Sequence, residues 1–148
     1  MGHLRDSRRK QHWVIALNQL RRIQTNEHRR LYHPIHLHGH DFWVLAQEVG
    51  TFNIATTKLN LSNPPRRDVA ILPGNGFLAI AFKKDNPGSW LLHCHIAWHA
   101  SQGLAMQFVE SESQIAISLT DTEAFSENCK AWDEYTPSEI YLQDDSGI

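Results

Sequence analysis

Two short stretches concentrate the reactive side chains of this chain: His33-Pro34-Ile35-His36-Leu37-His38-Gly39-His40 and His93-Cys94-His95, the latter followed by Trp98-His99 and Gly103-Leu104. They hold seven of its ten histidines and one of its two cysteines. On an extended strand, residues two apart share a face. His36 and His38 therefore point together, and His33 has the opposite parity, although Pro34 loosens that rule for His33. His93 and His95 share one face and Cys94 takes the other, so a single strand serves two sites back to back. One site would collect His33, Cys94 and His99. A thiolate with two imidazoles and a weak or absent axial ligand suits a blue-copper electron-transfer centre. The other would collect His36, His38, His93 and His95, an imidazole-only set that suits copper or zinc. Cys94 is bonded through the main chain to ligands of the second site, which offers electrons a through-bond route. A hydrolytic zinc site has no use for such a route, so the pairing points to redox chemistry.

Other readings of these residues fare less well. A lone buried histidine is usually a hydrogen-bonded core residue, but two clusters, one with Cys between two His, exceed that explanation. Zinc-finger spacing fails because the cluster has a single Cys. A cupin-like single-metal site would use His36 and His38 and leave His93-Cys94-His95 without a role. In His36-x-His38-x-His40-Asp41 the Asp follows the third His, the reverse of the metallohydrolase order. His40 is read as a residue that supports the ligands.

The elements that must position these residues are short. A length of 148 residues is enough for one domain with a single core. The apolar or alternating runs His38–Leu45, Ala70–Leu72, Phe77–Phe82, Trp90–His95 and Ala105–Val109 are predicted strands. Asn63-Pro64-Pro65, Pro73-Gly74-Asn75-Gly76 and Asp85-Asn86-Pro87-Gly88 are the turns between them. This spacing predicts an all-β sandwich or barrel. From Lys10 to Arg30, Trp13, Leu17 and Leu20 lie at helical spacing on a basic segment, which predicts an amphipathic helix. Thr122–Tyr135 is a second, short predicted helix, and 136–148 a polar extended tail. Net charge is −2, so no basic field suggests nucleic acid. No apolar run is long enough to span a membrane, and Met1–Lys10 is too charged for a secretory signal. Two cysteines, Cys94 and Cys129, make no disulfide framework.

The strings H-P-I-H-L-H-G-H-D-F and H-C-H-I-A-W-H-A-S-Q-G-L resemble the third and fourth copper-binding motifs of multicopper oxidases. Asn63-Pro64-Pro65-Arg66-Arg67-Asp68-Val69, Asp85-Asn86-Pro87-Gly88 and the ending Asp145-Ser146-Gly147-Ile148 are similar to those of ascomycete fungal laccases. The resemblance runs from about Tyr32 to Ile148. It implies the C-terminal, third cupredoxin domain, a Greek-key β-sandwich or barrel, here incomplete and truncated at its N-terminus. It also implies copper of types 1, 2 and 3. His33, Cys94 and His99 correspond to type 1 ligands, with Leu104 at the non-ligating axial position that favours a higher potential. His36 corresponds to a type 2 ligand, and His38, His93 and His95 to type 3 ligands. His99, beside Trp98, would accept an electron from a phenol, Cys94 would pass it on, and dioxygen would be reduced to water. In this group a cysteine like Cys129 forms a disulfide to the first domain, and the C-terminal tail plugs a solvent channel. Asn60-Leu61-Ser62 has the pattern of a glycosylation sequon.

Residues 1–31 form a basic segment expected to be helical and unlike the family, and 32–148 the cupredoxin domain with its tail at 136–148. The family's first domain contributes the other half of the trinuclear ligands. His3, His12 and His28 lack the spacing to replace them. The expected partners are a phenolic substrate, dioxygen and the missing first and second domains, with neither nucleic acid nor membrane. The chain is expected to be a fragment or to carry a non-native start, and the parent protein to be secreted. The leading function is laccase-type oxidation of phenols, with metal or ascorbate oxidation also open within the family. The alternatives are a non-catalytic copper or electron-transfer module and an inactive truncated product.

Overall fold

The computed structural model describes residues 12–18 and 31–139. Among the described residues, eight strands form two four-stranded antiparallel sheets. One sheet has the order β1-β6-β3-β4, from His12–Asn18, Gly76–Lys83, Phe42–Val49 and Arg66–Arg67. The other has the order β5-β2-β7-β8, from Val69–Leu72, His33–Leu37, Gly88–Cys94 and Ala105–Glu110. The two layers make an open, cupredoxin-like sandwich, so of the two expected forms the closed barrel is not adopted.

Period-two patterning builds the core between the layers. Ile35, Leu37, Leu92 and Cys94 from one sheet meet Phe42, Leu78, Ile80 and Phe82 from the other, all nearly or fully buried. The near-continuous apolar run of β6 has a separate cause, because both of its faces are covered. Leu78, Ile80 and Phe82 enter the main core, while Ala79 and Ala81 join Leu45 beneath Phe52 and Leu59. The register of β3 shifts between Val44 and Ala46, where Val44 packs on the main core and the successive residues Leu45 and Ala46 both join the outer cluster.

The segment expected to be a basic helix is instead a strand over His12–Asn18, paired antiparallel with β6 from Lys83 to Phe77. Trp13 and Leu17 fit helical spacing, but Ile15 and Leu17 fit period two equally well. Ile15 and Leu17 pack on the main core and Ala16 on the outer cluster. The exposed edge of β6 decides between the two periods, since its unpaired N–H and C=O groups need a partner. The rest of the segment expected to be helical lies outside the described residues.

The strands expected from the other apolar runs appear with shifted ends, and the two-residue β4 was not expected. The histidine motif itself supplies β2, and the strand expected from His38 begins at Phe42. Three helices lie at the C-terminal side: α1 (Ala97–Ser101), α2 (Glu112–Ser118) and α3 (Thr122–Glu139). The first two were not expected. α3 begins where predicted, with the Asp121 carboxylate accepting the Ala124 N–H at 3.0 Å. It runs through Glu139, so the expected extended tail is helical over 136–139. The remaining tail, including the expected plug at 145–148, lies outside the described residues. No described helix is long and apolar enough to cross a membrane.

Phe82 is 1% exposed and its ring contacts those of Phe108 and His40. Phe82→Ala should cost about 3–5 kcal/mol, the usual range for emptying a core aromatic. Urea unfolding would check this as a fall in midpoint at unchanged slope.

Candidate metal centre

Burial along β2 alternates, with His33, Ile35 and Leu37 inward and Pro34 and His36 outward. At the end of β7, Leu92 and Cys94 are inward and His93 is outward. Strand pairing sets Ile35 opposite Cys94 and His36 opposite His93. The two faces of this one strand pair therefore carry different ligand types, in agreement with the parity argument.

On the inner side, His33, Cys94 and His99 are buried together. His99 arrives from α1, whose turn is tied back by the Leu104 N–H to the His99 carbonyl at 2.9 Å and the Cys94 N–H to the Leu104 carbonyl at 3.0 Å. The Cys94 Sγ lies 3.6 Å from His33 Nδ1 and 3.5 Å from His99 Nδ1, and the two nitrogens are 3.2 Å apart. A triangle with these edges has a centre about 2 Å from each corner, close to metal–imidazole and metal–thiolate bond lengths. The donor set is soft thiolate with imidazole, which suits copper. Burial pushes the Cys94 thiol up, against the opposing effect of a hydrogen bond from the Ile96 backbone. Burial, and then the neighbouring His99, push the His33 imidazole down. Both effects disfavour charge in the metal-free pocket, and a bound cation reverses that for the thiol. The residues fit a copper ion. Leu104 packs against the core cluster that contains Cys94 and brings only hydrocarbon.

On the outer side, His36, His38, His93 and His95 gather with ring centroids 4.8 to 5.8 Å apart. The His36 Nδ1–H donates to the Asp68 carbonyl at 2.9 Å, and the His93 Nδ1–H to the Cys94 carbonyl at 2.9 Å. A carbonyl has no proton to give, so each ring carries its proton on Nδ1 and keeps a lone pair on Nε2. This is the usual arrangement behind an imidazole ligand. The His38 and His93 Nε2 atoms lie 3.0 Å apart. The His38 pKa is lowered, by desolvation first and then by His36, His93 and His95. His38 and His95 are exposed and His36 and His93 half-buried. Among the described residues, only the His33–Cys94–His99 group has all its donor atoms within 4.8 Å of one another. The outer four are assembled on one side and open on the other.

Residues behind the ligands were largely missed from sequence. His40 was placed in a supporting role. Its partner, Glu110, fully buried at the end of β8, was not singled out. Asn86 and Trp90 complete the same network. A carboxylate ending an apolar strand was the available signal, and burial follows only once β8 is docked beside β7. Cys129, expected to pair with another domain, is exposed and unbonded in α3.

Comparison with known proteins agrees with this geometry. The family described as multicopper oxidase matches residues 5–114. That match takes in 5–31, the stretch set apart above as unlike the family. Laccase-2 of Botryotinia fuckeliana is 67% identical, over 91% of this chain and 25% of its own length. A laccase of Neurospora crassa is 48% identical, over 80% of this chain and 21% of its own. The crystal structure of a laccase from Botrytis aclada superimposes with a TM-score of 0.74 at 58% identity, covering 93% of this chain and 25% of that one. Fet3p, a multicopper oxidase that functions in iron import, gives 0.70 at 30% identity, covering 84% of this chain and 24% of that one. The chain thus spans about a quarter of the length of these relatives.

Copper added to the chain should produce the strong visible absorption of a Cu–thiolate bond. Cys94→Ser should abolish it while leaving the far-ultraviolet circular dichroism unchanged. Colour persisting in that variant would remove Cys94 from the site.

Proposed function

The chain belongs to the multicopper oxidase family, and we propose that it is the C-terminal, third cupredoxin domain of a longer laccase-type enzyme that oxidises phenols and reduces dioxygen. The observation that carries this reading is the buried His33–Cys94–His99 triangle, joined through one strand end to an outward face of four imidazoles. Copper, when bound, supplies one-electron oxidation of the substrate and the multi-electron reduction of dioxygen to water.

The roles of the residues follow from their positions. His33, Cys94 and His99 would hold the type 1 ion, and Leu104, packed against the core cluster that contains Cys94, would bring it no ligand atom. Trp98, 62% exposed next to His99, lies where a planar phenol could approach the buried imidazole from solvent. Cys94 is joined by peptide bonds to His93 and His95, so the two sites share a continuous bonded connection. His36 would serve a type 2 ion, and His38, His93 and His95 the type 3 pair. The open side of that imidazole face is where a first cupredoxin domain would add its own ligands, and a second domain would help frame the substrate pocket. The described sandwich, including β1, is the third domain in this reading. The kinship with fungal laccases also supports a secreted parent protein, which recovery from culture medium would check.

The three donors proposed for the inner site, His33, Cys94 and His99, all lie within this chain, which favours an electron-transfer module as the second reading. Copper content separates the two. The whole protein should hold several copper ions and couple phenol oxidation to water formation. The isolated 148-residue chain should bind copper at Cys94 yet show little or no four-electron oxidase activity. Stoichiometric water formation by the isolated, copper-loaded chain would refute the need for further domains. A single copper in the whole protein would favour the electron-transfer module.

A further inference from the structure

A buried polar network lies behind the outer imidazoles and is not needed to account for the two ligand sets. Glu110 is fully buried, and the side chains of His40 and Glu110 are 4% and 1% exposed. A carboxylate in such a place is tolerated only when its oxygens are fully occupied. His40 Nε2 meets Glu110 Oε2 at 3.0 Å, and the Asn86 backbone N–H donates to Oε1 at 2.6 Å. The other nitrogen of the same ring, Nδ1–H, donates to the His38 carbonyl at 3.1 Å. The Asn86 side-chain amide donates to the Gly39 carbonyl at 2.9 Å, and the Trp90 indole N–H to the Asn86 carbonyl at 2.7 Å. Two successive carbonyls of the turn after β2, at 38 and 39, are thus held from the β6–β7 turn and the end of β8.

The apolar side of the turn is held as tightly. Gly39 has φ +71°, and a Cβ there would lie 2.5 Å from the Trp90 ring. Only glycine fits both that backbone conformation and that approach. The turn is therefore fixed by hydrogen bonds on its carbonyls and by an indole packed against its one flexible residue.

His38 opens this turn, just beyond the end of β2 at Leu37. Its own N–H reaches the Leu91 carbonyl at 2.8 Å. The His38 peptide unit is therefore pinned at both its N–H and its C=O, whereas its ring is exposed and meets the His93 ring. We propose that the buried His40–Glu110 pair, braced by Asn86 and Trp90, is a positioning unit that sets the His38 imidazole for metal binding. This rests on the reading of His38 as a copper ligand. Neither His40 nor Glu110 touches the metal in this scheme. They act through the His38 carbonyl, as residues behind a metal site commonly do, and loss of such support typically costs about 10–100-fold in metal affinity.

The test is a copper titration of the full chain, followed by calorimetry for the imidazole-only binding and by visible absorption for the Cys94 site. His38→Ala calibrates the first signal by removing the ring itself. Glu110→Gln should weaken the imidazole-only binding about tenfold or more and leave the thiolate absorption in place. In the metal-free protein, the His38 ring resonances should move towards averaged, solvent-like values, with those of His33 and His99 unmoved. If His38→Ala weakens copper binding but folded Glu110→Gln stays within about twofold of the parent, the pair is structural only and the proposal fails. If His38→Ala has no effect, the ligand reading of His38 fails and takes the proposal with it. Should Glu110→Gln not fold, Trp90→Phe decides instead, because it keeps the ring against Gly39 and removes the indole N–H from Asn86. Weaker imidazole-only binding with unchanged thiolate absorption supports the proposal, and unchanged binding at both sites overturns it.

Discussion

The alternation of side chains at the end of β7 is the constraint on which both candidate metal sites depend. Leu92 and Cys94 face the core and His93 faces out, and the pairing of Ile35 with Cys94 and His36 with His93 brings β2 into the same order. A slip of one residue would send the thiol to solvent and the imidazoles into the core, destroying both sites at once. The register therefore has to be held by far more than the ligands. β7 is flanked by β2 on one side and paired with β8 over Gly88–His93 on the other. Beneath it, Leu37, Phe42, Ile80 and Phe82 form a core that accepts Leu92 and Cys94 and has no place for a charged ring.

That core in turn depends on β6. Its inner residues fill the space between the sheets, and its outer alanines allow the loop bearing Phe52 and Leu59 to close over the far side. A strand covered on both faces cannot also be left with an open edge at low cost. β1 supplies the missing pairing along the full length from Lys83 to Phe77. The ligand-bearing sheet and the sheet that lacks ligands are thus coupled through side chains that have no chemistry of their own.

The candidate ligand residues were legible from sequence because strand parity is local. Two positions apart means one face, whatever the rest of the chain does. Leu104 and the turn after His99 were less so, since they depend on how a five-residue helix folds back onto β7. β1 was misread because Trp13, Leu17 and Leu20 satisfy a helical period that Ile15 does not need. The deciding factor, the unpaired edge of β6, is separated from β1 by tens of residues. Glu110 was invisible for a related reason. At the end of the run Ala105–Val109 it reads as the polar stop of a strand, and only the packing of His40 and Asn86 against it reveals a buried carboxylate. The helix Thr122–Glu139 was found because its start is written locally, in Asp121 and Glu123. Its full length was not.

The two sites differ in how much of their cost the fold has already met. Around Cys94, burial opposes ionisation of the thiol and protonation of His33, and the three donor atoms already lie close together. Binding a cation there exchanges a thiol proton for a metal, in a site that needs little rearrangement. The outer imidazoles are different. His36 and His93 have their protons fixed on Nδ1 by backbone carbonyls, which leaves the Nε2 lone pairs available. His38 and His95 remain in contact with water, and no described residue covers them. Such a face can be ordered from behind by hydrogen bonds and can offer its imidazoles to an ion from one side, but it does not enclose that ion. Enclosure needs a second surface carrying ligands of its own, and the outward face of the central β2–β7 pair is where such a surface could dock.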